Sequence, residues 1–282
     1  VGVSNLAAVA NNFGDTPFLI KGGALKSMNQ KFNKQRAKLL SAVTKGSDST
    51  HSKKETKQLQ ALSRKRDAFL RDFFYKTAWY LVRYAKEQRV DVIVIGHNED
   101  QKQNICIGKQ NNQNFASIPF CQFIKILRNT AAKAGIPVAD REESYTSKAS
   151  LLDLDTIPTY RKGNTQAYTF SGKRVHRGLY KTNSGCVINA DINGAGNILR
   201  KEYPYAFDGQ DMSYLYKTTK VVSYTDIYAG TKSVCKEKYN QKSHEPGLGS
   251  RVNHRYRQDT RLIYRKLWGR STFVWTGKKK TA

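Results

Sequence analysis

An α/β fold is what this sequence predicts, and three observations predict it. A strand hairpin opens the chain, a long helical hairpin follows, and strand-length apolar runs then alternate with amphipathic helical stretches. Residues 6–12 (LAAVANN) and 17–22 (PFLIKG) read as two strands joined by an FGDT turn. From Ser27 to about Val43 the pattern is helical, and TKGSDSTHSK (44–53) is a loop by composition. Between Lys54 and Gln88, Leu59, Leu62, Phe69, Phe73 and Leu70, Phe74, Leu81 recur at three- and four-residue spacing, which predicts one long helix. Residues 27–88 therefore read as an inserted helical hairpin. The β-branched run VDVIVIG (90–96) predicts a strand buried on both faces. PFCQFIKILRNTAAKAG (119–135) predicts a helix with Pro119 at its start and Gly135 past its end. IPVADREE (136–143) is a further strand, 144–190 is loop-rich with a hairpin around 167–178, and DINGAGNILRK (191–201) opens a helix that Asp191 is placed to cap. Beyond 202 the pattern weakens.

Hairpin, helix, strand, helix, strand, helix is the order of an RNase H-like fold with a mixed sheet, although many unrelated α/β domains share it. Composition narrows the partner. The 282 residues carry 49 Lys and Arg against 22 Asp and Glu, a formal charge of +27. A compact body with that charge repels itself unless a polyanion is near, and nucleic acid is the leading candidate because neutralised phosphates release counterions. A basic structural protein, ribosome-associated for example, would explain the charge equally well. Residues 251–282 hold ten Lys or Arg and one Asp, with Tyr256, Tyr264, Trp268, Phe273 and Trp275 interleaved. Arg261 and Arg265 are candidate phosphate contacts there, and the rings could stack on unpaired bases or pack in a core. The four cysteines form no CxxC pair, which argues against zinc and against a disulfide framework and fits reduced thiols in a cytoplasm. No apolar run reaches the roughly 18 residues of a membrane span, so no membrane partner is expected.

Three stretches carry chemistry. In INADINGAGNI (188–198), Asp191 sits where an extended segment meets a helix, and a carboxylate there can bind a hard cation or simply cap the helix. In ADREESYTSKAS (139–150), Glu142 and Glu143 end a strand. Neighbours on a strand point to opposite faces, so at most one can share a site with Asp191 and the other should be solvated. In GKQNNQNFASIPF (108–120), Lys109, Asn112, Gln113 and Asn114 offer donors and acceptors suited to phosphate, sugar or base edges, or else form an ordinary polar loop.

Together, VGVSNLA, PFLIKGGALKSMNQKFNK, VIVIGHN, NQNFASIPF, EESYTSKAS and NADINGAGNILRK, in that order, make the sequence resemble the TnpB proteins of bacterial insertion sequences. Those are RNA-guided DNA endonucleases with a RuvC-like nuclease domain, akin to type V CRISPR effectors. The resemblance covers about residues 1–207, with 144–190 as a lid region, and leaves 208–282 as a basic extension open to disorder. It implies a guide RNA and a target DNA as partners, a bacterial, nucleoid-associated setting, and a magnesium-dependent two-metal site that hydrolyses phosphodiesters. It also implies catalytic and metal-binding roles for Glu143 and Asp191, and a nucleic-acid contact at Lys148 of YTSK.

Three departures qualify the resemblance. The usual second carboxylate follows the strand written here as VIVIG, where this chain has Gly96; a subset of the family moves it to the strand before YTSK, and Glu143 fits. Residues 148–185 contain no cysteine, so a metal-free hairpin must replace the usual zinc ribbon. The family's first strand ends in Asp-x-Gly-Val, whereas this chain starts Val1-Gly2-Val3, which places the first catalytic Asp just before Val1 and reads the chain as an N-terminally truncated nuclease, inactive as it stands. The competing expectation is a nuclease-dead RNA-guided DNA-binding protein.

Overall fold

A computed structural model describes residues 4–44, 56–96, 118–160 and 166–230. The chain divides into two compact units, Val1–Ala229 and Gly230–Ala282, and the described strands and helices all belong to the first. Strands β1 (Asn5–Val9) and β2 (Phe18–Lys21) form the expected antiparallel hairpin. Helices α1 (Gly23–Thr44) and α2 (Lys57–Glu87) are the long helical pair, and Thr56 caps α2 by accepting from the Leu59 amide. Strand β3 (Ile93–Gly96), helix α3 (Phe120–Lys133) and strand β4 (Val138–Arg141) form a strand–helix–strand unit whose two strands pair in parallel. Gly135, at φ +74°, takes the left-handed turn that ends α3.

The second half holds the meander β5 (Lys173–His176), β6 (Leu179–Lys181) and β7 (Val187–Asn189), then α4 (Ala190–Glu202), the short α5 (Tyr214–Lys217) and β8 (Lys220–Val222). The expected hairpin around 167–178 thus sits later, turning at Arg177–Gly178, where Gly178 adopts φ +87°. Strand β8 runs parallel beside β2, so the boundary expected after residue 207 cuts through this compact unit. The hydrogen-bonded sheets are β1–β2–β8, β3–β4 and β5–β6–β7, in place of the one mixed sheet expected.

The β1–β2 layer is buried on both faces, which is why FLI reads as unbroken apolar sequence. Phe18 and Ile20 face a core built with Leu25 of α1, Phe73 and Phe74 of α2 and Phe123 of α3. Leu19, pointing the other way, joins Leu151, Tyr180, Ile188, Ile192, Phe207 and Leu215. Consecutive Leu6 and Ala7 both reach the helical side because the register shifts between Asn5 and Ala7. No helix among the described residues is long and apolar enough to cross a membrane.

Candidate functional site

Helix α4 organises the site. Its N-cap is Asn189, whose Oδ1 accepts from the amides of Asp191 (2.9 Å) and Ile192 (3.3 Å). The expectation that Asp191 caps the helix is therefore corrected. The capping side chain comes two residues earlier, and Asp191 lies inside the first turn, where the helix dipole favours a negative charge. Freed from capping, the Asp191 carboxylate accepts from Asn5 Nδ2 at the start of β1 (2.6 Å). The other end of that amide, Asn5 Oδ1, is buried and has no hydrogen-bond partner among the described residues.

The rest of α4 clamps the 144–155 segment. Asn193, fully buried, donates to the Ala149 carbonyl (2.8 Å) and accepts from the Leu151 amide (2.9 Å). Asn197 donates to the carbonyls of Thr146 (2.9 Å) and Ala149 (2.7 Å). A Cβ on Gly196 would lie 2.2 Å from Leu151 Cδ2, so the close approach needs glycine. Arg200 adds bonds to the carbonyls of Leu154 and Asp155, both 3.0 Å. DINGAGN and YTSKAS are thus two halves of one joint, and their asparagines are structural.

That joint fixes both glutamates. Thr146 bonds back to the Glu143 carbonyl through its amide (3.2 Å) and hydroxyl (2.7 Å), and Tyr145 takes a left-handed φ of +63° to allow the turn. Glu142 forms an ion pair with Lys201 of α4 and accepts from the Ser144 amide (2.6 Å). Burial works against its charge, but the bonds from Lys201 and Ser144 outweigh that and hold its carboxyl below the usual range. The expected solvated sibling is accordingly corrected: Glu142 is half-buried and anchors the strand end to α4.

Glu143 turns to β3. A Cβ placed on buried Gly96 would lie 2.7 Å from Glu143 Oε1, 2.8 Å from its Cγ and 2.4 Å from Ile198 Cδ1. The glutamate side chain therefore fills the space that a side chain at 96 would enter. Ile198 is seven residues beyond Asp191, which puts it on the same face of α4, about 10 Å along the axis. Among the described residues no group of three or more His, Cys, Asp or Glu is placed to hold a metal.

Lys148 is exposed on the clamped turn, and its backbone carbonyl accepts from the buried Tyr180 hydroxyl (2.7 Å). Lys109, Asn112, Gln113, Asn114, Arg261 and Arg265 lie outside the described residues. In the cysteine-free region that was expected to replace a zinc ribbon, two carboxylates do the joining. Asp153 accepts from Ser150 Oγ (2.5 Å), Ser171 Oγ (3.2 Å) and the Asn183 amide (3.0 Å), and Asp155 accepts from the Ser150 amide (2.7 Å) and Ser171 Oγ (2.5 Å). Sequence reasoning passed over Asn5, Ser4, Lys26 and Arg177. The polar SN before the apolar LAAV was the one signal for the first two.

A family model described as a probable transposase, OrfB_IS605, matches residues 1–102, and one described as Cas12f1-like, TNB domain, matches residues 120–198. None of the curated proteins matches. Among solved structures, a chain of the cryo-EM structure of the Cas12f1-sgRNA-target DNA complex is similar at 19% identity with a TM-score of 0.48. The match covers 70% of this chain and 47% of that one, so this chain spans about half its length.

Proposed function

Because this chain belongs to the TnpB family, we propose that it supplies the RuvC-like, RNase H-type nuclease domain of an RNA-guided DNA endonuclease. In this reading the 27–88 hairpin is an insertion and 144–190 a lid held by the Asp153–Asp155 clasp in place of zinc. Guide–target pairing reads sequence, and the protein holds backbone. The observation that carries the reading is the seat of Glu143. Its carboxylate occupies the space above Gly96, at the end of the strand from which relatives extend their second acidic residue.

The donors fit a hard divalent cation. Asp191 and Glu143 offer carboxylate oxygens, and buried Asn5 Oδ1 beside Asp191 has no partner among the described residues. Oxygen-only donors of this kind suit magnesium. Asp191 and Glu143 would hold it, and when bound it would activate water and stabilise the leaving oxygen of a phosphodiester. The chain's own residues do the positioning. Asn189 takes the cap and leaves the Asp191 carboxylate available, Asn5 orients that carboxylate, and the Asn193–Asn197 clamp with the Lys201–Glu142 pair holds Glu143 against β3.

The test is magnesium-dependent cleavage of a DNA matched to a bound guide RNA. Glu143→Ala and Asp191→Ala should each lower the rate by a factor on the order of 10³ or more. Gly96→Glu with Ile198→Val, placed in the Glu143→Ala background, should recover part of it. Normal cutting by Glu143→Ala would overturn the assignment. The alternative is a nuclease-dead RNA-guided DNA-binding protein. Guided binding without cleavage in the unsubstituted protein would select it.

A further inference from the structure

Glu142 and Glu143 lie past the end of the β3–β4 ladder, whose last paired residues are Gly96 and Arg141. Alternation of side chains belongs to the pleat of a paired strand. Beyond the ladder it no longer dictates which glutamate turns toward Gly96. One side chain of α4 fixes the choice. Lys201 Nζ forms an ion pair with Glu142 and also donates to the Ser144 carbonyl (2.9 Å). The residue between those two acceptors is Glu143. One ammonium therefore holds both of its neighbours, and the Glu143 side chain is the one that enters the space above Gly96.

The lysine is held in place by the cost of letting go. Its side chain is only 7% exposed. A charge so far from water is expensive unless it is paired and hydrogen-bonded, so leaving Glu142 and Ser144 would strand it. Its place in the last turn of α4, where the helix dipole favours a cation, adds to this. The Ser144 amide bonds the other oxygen of Glu142 (2.6 Å), which closes a ring of ammonium, carboxylate and main chain around residue 143. The neighbouring pair, Arg141 with Glu202, ties the same strand end to the same helix turn, but Arg141 is exposed and such a pair contributes little. Asp191 lies at the other end of α4, about 15 Å along the axis from Lys201. At that distance the lysine acts on the site through Glu143.

We propose that Lys201 is a positioning residue that selects the cation ligand: by holding Glu142 and the Ser144 carbonyl, it makes Glu143, of two adjacent glutamates, the one that binds metal with Asp191. The proposal rests on the reading of Glu143 as a ligand given above. It adds that α4 sets both carboxylates, supplying Asp191 from its first turn and choosing Glu143 from its last.

The experiment is a double-variant cycle on the full chain, read by isothermal titration calorimetry with manganese ion alone. Lys201→Met keeps an apolar stem and removes the charge, and it should weaken the tightest binding about tenfold. Lys201→Arg, whose guanidinium can donate to both acceptors, should stay within about threefold of the parent. In the Glu143→Ala background, Lys201→Met should cost nothing further, because the side chain it acts through is gone. A second readout needs no metal. In EDTA, amide hydrogen exchange at Ser144 should be at least about tenfold faster in Lys201→Met than in the parent, while exchange at Leu151, bonded to Asn193, should not change. Parent-strength binding by Lys201→Met, a further loss in the double variant, Lys201→Arg binding no tighter than Lys201→Met, or unchanged exchange at Ser144 would each overturn the proposal. Parent-strength binding by Lys201→Met beside weakened binding by Glu143→Ala would overturn the proposal alone. Parent-strength binding by Glu143→Ala would overturn the reading of Glu143 as a ligand, and the proposal with it.

Discussion

The two ends of α4 use the same residue types for opposite purposes. From Asn193 onward the buried amides are paired: Asn193 bonds the backbone of Ala149 and Leu151, and Asn197 donates to Thr146 and Ala149 and accepts from Arg200, whose Nε is the one atom of this half left without a partner among the described residues. In the first turn, and on the strand end beside it, groups are left short of partners. Asp191 is held by one amide, Asn5 Oδ1 is buried without a partner among the described residues, and Lys26 and Arg177 meet at Ser4 with no acid between them. The satisfied end stabilises the fold, because a buried polar group with all its bonds made rigidifies its surroundings. The under-satisfied end retains capacity for something outside the chain. One helix thus carries a structural half and an under-satisfied half, with Gly196 against Leu151 in the structural one.

Substitutions should separate the halves. The largest effect on stability is expected for Asn193→Ala, which strands the Leu151 amide and leaves the Ala149 carbonyl with Asn197 alone, and should cost about 3 kcal/mol in urea unfolding. A cost below about 1 kcal/mol would break the comparison. Gly196→Ala should follow at about 2 kcal/mol, since its new methyl must displace fully buried Leu151. Asn189→Ala removes the cap and should cost about 1 kcal/mol. Asp191→Ala should sit within about 0.5 kcal/mol of the parent. A stability loss matching that of Asn193→Ala would move Asp191 into the structural half.

The smallest expected effect sharpens the comparison through pH. The Glu142 carboxyl is held below its ordinary value in the folded chain. Its contribution is therefore complete above the unfolded value, about 4.3, and is lost as pH falls through the folded value. Glu142→Gln should flatten the decline of stability below about pH 4 and lower stability slightly at pH 7. A steeper acid limb in the variant would mean the Lys201 pair does not hold the charged form.

How far the sequence carried this picture depends on the kind of signal. The β1–β2 hairpin, the α1–α2 pair, the buried strand ending at Gly96 and the helix between Pro119 and Gly135 were legible because apolar periodicity and Pro/Gly punctuation are local. Strand β8 was not, since three residues beside β2 carry no period of their own, and their pairing is set by a contact just over 200 residues away in sequence. In the site, Asp191 stood out by type. Its cap was misplaced because Asn189 and Asp191 are both good caps and only backbone geometry separates them. Alternation along a strand implied that only one of Glu142 and Glu143 could face Asp191, without saying which, and could not foresee Lys201, which reaches back from the last turn of α4 to claim Glu142. The convergence of Lys26 and Arg177 at Ser4 joins three elements and leaves no trace in any one of them.

The most direct measurement is a titration of the full chain with manganese ion alone, following free metal by electron paramagnetic resonance in the parent, Asp191→Ala and Glu143→Ala. If the first turn of α4 and the carboxylate above Gly96 form one cation site, each single substitution should weaken the tightest binding by at least about tenfold, with Asp191→Ala folding as stably as the parent. Binding of equal strength in all three proteins would contradict the account.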